Sequence, residues 1–478
     1  MSKELRRSGI LLHPSSLHGN GGVGDIGPVA HEFLDFAQAA GQQIWQMLPL
    51  NPVDTFGCPY TSASAFAREP LLLSVDCLIR DGWLFDVEIP AGPAAGYVDW
   101  ERMFAERLPI LLLAASRVAA EVDLSAFCLE HEWVRNWGLF CAMRDELGPD
   151  WRTWPVPCRD RHALTLEQFE SGNTASIMCH IALQWLFDQQ WKELREAAAK
   201  RGIELWGDLP FHVGAASCDV WVNRHLFRLK PDGTPTLISG VPPDDFTPKG
   251  QLWGHAVFKN EAHREQDFDW WVSRARAVLS CFDAIRLDHF RGIEAAWEVP
   301  AGAEDARGGK WVPGLGKPLM LALKAAFPKM PFIAEDLGII TKEVELLRRE
   351  FGLPGMAILQ FGFGGGMDHS YLPHNIESDR VVYAGTHDND TSLGWYQSAN
   401  WETRDHIRRY LLVDGHDIAW DMIRCAMRAP AETAIVPLQD ILSLDSSARM
   451  NVPGRAEGNW RWRASPGAFD PNLAAALA

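Results

Sequence analysis

Apolar residues along this chain gather in short runs that turn polar at their C-terminal ends. Stretches with a helical repeat lie between several of them. Eight runs read as buried strands: Gly9–His13, Ile44–Pro49, Ile203–Leu209, Phe282–His289, Phe332–Asp336, Met356–Phe361, Val381–Thr386 and Ala434–Gln439. Near-continuous apolarity is what a strand covered on both faces requires. Val29, Phe33, Phe36 and Ala40 share one face of a helix that Gly41 stops. A longer helix runs over Ile177–Arg201, with Gly202 as a left-handed cap. Thr341 is placed to cap a third helix that reaches Glu350 before Gly352. Eight strands alternating with helices predict an α/β fold, a (β/α)8 TIM barrel.

Two connections exceed a simple βα unit. Residues 50–202 include the amphipathic stretches Trp100–Ala119 and His131–Glu146, which predict a mainly helical subdomain inserted between strands two and three. The expected division is residues 1–50 for the first part of the barrel, 51–176 for the insertion and 177–478 for the remainder. A Gly- and Pro-rich stretch over 211–260 reads as loop, with a cleft-covering segment near 240–255.

Composition narrows the function. The formal net charge of −17 argues against nucleic acid and anionic lipid as partners. Nine scattered cysteines without a CxxC pair fit a reducing cytoplasm. The N-terminal segment lacks the apolar run of a signal peptide, and no stretch is long enough for a membrane span. Twenty-one tryptophans fit a large core and equally fit stacking on sugar rings.

Three predicted strands end in carboxylates: Asp288, Glu335 with Asp336, and Asp388 after His387. In a parallel barrel these ends share one rim, where active sites are built. Arg286 lies two residues before Asp288, on the same strand face, and favours an ionised carboxylate there. Glu335 follows apolar Ile333 and Ala334, a setting that raises a carboxyl pKa and suits a general acid. Asp336 reads as a cap or turn residue. Asp388 and His387 are suited to binding ring hydroxyls. A structural use of each residue competes with these roles, as does a metal site built from Asp288, His289, Glu335, His387 and Asp388. No His-x-His pair follows strand one and no HExxH occurs. Nor is there a P-loop, a strand-linked GxGxxG or a GxSxG elbow.

Longer blocks give a resemblance. RLDHFRG at Arg286–Gly292, IAEDLG at Ile333–Gly338 and GTHDNDT at Gly385–Thr391 closely resemble the amylomaltases, the 4-α-glucanotransferase or disproportionating-enzyme family. Cys58–Phe66, Gly207–Pro210, Gly240–Gly254 and Ala448–Arg463 extend the likeness nearly end to end. The resemblance implies a retaining transfer of α-1,4-glucan segments between maltooligosaccharides, with no cofactor and no metal. It implies Asp288 as nucleophile, Glu335 as acid/base and Asp388 as transition-state stabiliser. Asp208, Arg286, His289 and His387 would orient the sugar and Tyr60 would stack beside it. Gln251, Trp253 and the loop around Asp244 and Phe246 would cover the cleft. An α-glucan hydrolase on the same barrel is the alternative, and a non-catalytic glycan-binding protein a third reading. The oligomeric state stays open. Cys58, Asp245 and His255 depart from the family's usual residues, and a charged Asp245 in the cover implies a larger share of hydrolysis.

Overall fold

The computed structural model describes residues 6–19, 21–86, 96–243 and 247–478. Eight strands form one parallel sheet: β1 (Arg7–Leu11), β2 (Ile44–Gln46), β3 (Glu204–Leu209), β6 (Ala284–Leu287), β9 (Phe332–Ala334), β10 (Gly355–Ile358), β11 (Arg380–Tyr383) and β12 (Thr433–Pro437). Their order is β10-β11-β12-β1-β2-β3-β6-β9. The ends meet where the Ala334 amide donates to the Pro354 carbonyl at 2.9 Å, which closes the sheet into a (β/α)8 barrel. Every predicted strand is present; all but β3 end two or three residues earlier than predicted, and β1, β10, β11 and β12 begin one or two residues earlier. The run Met356–Phe361 divides into β10 and a short helix, Leu359–Gly362.

Helices separate most of the barrel strands. Pro28–Ala39 buries Phe33, Leu34 and Phe36 against the sheet, and Phe33 meets Trp45 of β2 edge-on at 4.6 Å. Gly202, with φ +69°, ends the helix Thr174–Lys200 and delivers the chain to β3. Lys342–Glu350 begins after Thr341 as expected, but the threonine makes no capping bond.

Between β2 and β3 the regular elements among the described residues are all helical. Leu108–Glu121 and Trp133–Leu147 both pack on Thr174–Lys200. That long helix also faces the barrel, with Trp191 edge-on to Phe282 at 5.4 Å. The core is therefore continuous from insertion to barrel.

The stretch expected to be loop is partly sheet. β4 (Leu237–Val241), β5 (Gln251–Ala256), β7 (Ala295–Pro300) and β8 (Lys310–Pro313) form an antiparallel sheet in the order β5-β4-β7-β8. Half-exposed strands broken by Gly240 and Gly254 lack the apolar run that revealed the barrel.

Buried titratable groups give the fold a pH dependence. His263 is 1% exposed, packed among Phe227, Phe258 and Trp270. Burial lowers its pKa to about 4. The unfolded chain takes up a proton near 6.5 that the folded one refuses, so this contribution is intact above pH 6.5 and lost towards pH 4. Glu69 has the opposite sign: burial raises it to about 7, and its contribution is lost as pH rises through that value. We expect His263→Phe to flatten the fall in melting temperature between pH 6.5 and 4. An unchanged slope would exclude His263 from acid destabilisation.

Candidate active site

β3, β6 and β9 are neighbours, and their C-terminal ends carry the site. Asp208 pairs with Arg286 across β3 and β6. Leu287 pairs with Ala334 across β6 and β9, so the next residues, Asp288 and Glu335, stand side by side. Neighbouring strands lie roughly 4.8 Å apart, a spacing compatible with the roughly 5–5.5 Å between the carboxyl groups of retaining glycosidases.

Backbone bonds fix both carboxylates. The Asp288 amide donates to the Leu209 carbonyl at 3.0 Å. His289 then adopts φ +50°, a left-handed conformation unusual for a residue with a side chain. Its amide donates to Glu335 Oε2 at 2.6 Å, while Glu335 Oε1 accepts from the Leu337 amide at 3.1 Å. Burial raises the Glu335 pKa well above the usual carboxyl range; Arg286 opposes this and the charge of Asp288 adds to it. Glu335 thus holds its proton more tightly than a free carboxyl, beside a carboxylate that touches a cation.

That cation is Arg286. Its Nη1 lies 2.7 Å from Asp208 Oδ2 and 2.9 Å from Asp288 Oδ1. Asp208 is 2% exposed, and burial pushes its pKa up against the pull of Arg286. The Tyr60 hydroxyl donates to the same Asp208 oxygen at 2.8 Å. His387 Nε2 is 3.0 Å from the Tyr60 oxygen. With the tyrosine proton committed to Asp208, the imidazole is the donor there. Burial lowers the His387 pKa. Its ring stacks on Tyr60 at 5.3 Å, and Nε2 is 3.5 Å from Asp388 Oδ1. One polar chain, Asp288–Arg286–Asp208–Tyr60–His387–Asp388, therefore crosses the barrel mouth.

Sequence reasoning missed what seats Asp388. Asn451 Nδ2 donates to Asp388 Oδ1 at 2.6 Å, and Arg449 donates to the Asp388 carbonyl at 2.7 Å. Their only signal was the block Ala448–Arg463. Asn451→Ala is expected to reduce turnover roughly tenfold, the cost of one hydrogen bond to a charged group, with donor KM changed less. Equal effects on both constants would refute a positioning role. Arg449 also borders a groove of about 430 Å³ that runs past Ser446, Asn459 and Arg461.

On the other flank, β5 brings Trp253 edge-on to His289 at 4.8 Å. Gln251 accepts from the Trp253 indole at 3.3 Å. Asp244, Asp245 and Phe246 lie outside the described residues. Asp336 is neither cap nor turn residue. It is 2% exposed, accepts from the Met356 amide at 2.8 Å and pairs with Arg348 and Arg380. It thus pins the β9–β10 seam. Among the described residues, no group of three or more His, Cys, Asp or Glu side chains is arranged to hold a metal ion.

The 4-alpha-glucanotransferase family pattern matches residues 12–468. The chain belongs to this family. It is 40% identical to the 4-alpha-glucanotransferase of Thermus thermophilus over 491 residues, covering 99% of this chain and 98% of the relative. It is 42% identical to the chloroplastic/amyloplastic 4-alpha-glucanotransferase of Arabidopsis thaliana over 468 residues, 96% of this chain and 81% of that one. The fold overlays on amylomaltase from Streptococcus agalactiae in complex with acarbose with a TM-score of 0.95, at 33% identity and with 99% and 98% of the two chains covered. As in other 4-alpha-glucanotransferases, the expected chemistry is transfer between glucans, and the hydrolase alternative is not favoured.

Proposed function

We propose that this 4-alpha-glucanotransferase moves α-1,4-glucan segments between maltooligosaccharides through a covalent intermediate on Asp288. The observation that carries the reading is the pairing of Asp288, against Arg286, with buried Glu335 on the adjacent strand. In the first step Asp288 attacks the anomeric carbon. Glu335 gives its proton to the leaving oxygen, and the bond between that oxygen and the carbon breaks. In the second step Glu335 takes the proton of an acceptor hydroxyl, whose oxygen displaces Asp288. Two inversions retain the α configuration. Asp388, seated by Asn451, faces the positive charge that develops on the ring. Asp208, Arg286 and His387 bind and orient the sugar, Tyr60 flanks it, and Gln251 and Trp253 wall the acceptor side.

Incubation with maltotriose tests this reading. Glucose with a ladder of longer chains is the expected outcome; shorter products alone would return the hydrolase. Because the carboxylates act on the sugar directly, EDTA is expected to leave the rate unchanged, and loss of activity reversed by one added metal would overturn that. The nine cysteines are all unpaired, which supports work in the cytoplasm. Among the described residues no helix is long and apolar enough to cross a membrane.

A further inference from the structure

β12 lies between β11 and β1, and it leads into Leu438 and Gln439, not into a carboxylate of the site. Beside that end is a cavity of about 30 Å³, bordered by Pro437 and Gln439, by His13 beyond β1, and by Thr386 and His387 beyond β11. A water needs roughly 10–15 Å³ and two to four polar partners. The space therefore admits one or two waters, and the lining decides whether they are held. Several polar groups of that lining are already spent. Ser16 donates its hydroxyl to Met450 at 3.5 Å, and Thr386 gives its own to Asn389 at 2.9 Å. Arg449 is drawn to the carbonyls of Asn451 and Asp388. His13, His387 and Gln439 keep polar atoms to offer. Gln439 gives its NH₂ to the Ala448 carbonyl at 3.3 Å, which leaves its side-chain oxygen. His387 turns Nε2 to Tyr60 and Asp388, which leaves Nδ1. The Nδ1 of His13 is shielded and has no partner, so Nε2 is the nitrogen this ring can offer. Burial, with His387 adding to it, lowers the His13 pKa to about 3, so the ring is neutral and carries one proton. Placing that proton on Nε2 spares the shielded Nδ1 an unmet donor.

We propose that a water in this cavity joins His13 to His387 and fixes His387 as the tautomer with its proton on Nε2, which makes His13 a positioning residue. The bonds match one for one. His13 Nε2–H donates to the water oxygen, and the two water hydrogens go to Nδ1 of His387 and the side-chain oxygen of Gln439. With Nδ1 occupied as an acceptor, His387 turns its N–H to Tyr60, whose own proton is held by Asp208. No proton is transferred; one wall of the site is held in a single hydrogen-bond pattern. The effect on turnover rests on the transferase reading above, whereas the tautomer is a property of the free enzyme.

The test compares wild type, His13→Phe and His13→Gln, each prepared with isotope-labelled histidine and without sugar. Nitrogen NMR separates a protonated ring nitrogen from a bare one, and the His387 signals are identified by their loss in His387→Gln. In wild type the proton is expected on Nε2 alone. Phenylalanine fills the space of His13 but offers no donor, so His387 should become a mixture of tautomers. Its kcat on maltotriose should fall roughly three- to tenfold, the worth of one neutral hydrogen bond, with KM changed less. Glutamine sets an NH₂ donor near the place of Nε2 and is expected to restore the single tautomer and most of the rate. A crystal structure of the wild type should show a water within hydrogen-bond distance of both rings. A dry cavity overturns the link, as does wild-type His387 protonated on Nδ1. A His13→Phe variant that keeps the wild-type tautomer overturns it too, and so does an equal loss of rate in both variants, the pattern of a packing residue. If His13→Phe does not fold, the wild-type tautomer and the glutamine variant still decide. Wild-type enzyme that passes every chain to water overturns the transferase reading alone.

Discussion

Replacing Asp288 with Asn is expected to abolish turnover on maltotriose, by on the order of 10⁴-fold or more, while the protein stays folded. The amide has nearly the shape of the carboxylate but cannot form the glycosyl ester. The backbone at this position is held by the Leu209 carbonyl whatever the side chain, and Arg286 keeps Asp208 as its partner. The melting temperature should therefore change by only a few degrees while activity disappears. A purified variant with a native melting curve and native activity would remove Asp288 from the mechanism.

Glu335→Gln is expected to cost roughly 10²- to 10⁴-fold on natural donors. Fluoride is a good leaving group and needs little protonation. On α-maltosyl fluoride the first step should be partly rescued, and the second, which needs a base, should stall. Mass spectrometry should then find a maltosyl adduct on Asp288. The variant should also lose the alkaline limb of the pH profile, since the first step requires protonated Glu335 and the raised pKa sets where that form is depleted. Equal losses on both donors with no adduct would argue that Glu335 is not the acid/base. Local rearrangement should be small. Glu335 accepts one amide on each oxygen, so glutamine keeps one bond and sets an NH₂ group against the other donor.

The barrel was legible because strands covered on both faces must be apolar throughout, and Ile285, Phe332 and Val382 announce this in any order of reading. Asp288 and Glu335 were legible because each follows such a run directly, and Asp388 because it lies a few residues beyond the end of β11. Asp336 was misread for a topological reason. Its partners, Arg348 and Arg380, come from the next helix and from β11, and only barrel closure brings them together. Gln251–Ala256 was taken for loop because an edge strand with alternating exposure and a glycine resembles one. Asn451 belongs to an irregular segment without periodicity, so nothing local links it to Asp388.

β1 is held between β2 and β12, so the first barrel strand waits for the last before it has both neighbours. Parallel pairing over such a separation carries a large loop-closure cost until the rest of the chain is in place. The segment that seats Asp388 follows β12, and farther on the Ala464 amide donates to the Ser16 carbonyl at 2.8 Å. A nascent chain therefore presents Asp288 and Glu335 well before it has a completed rim. The rim is completed only once the C-terminal segment has been made.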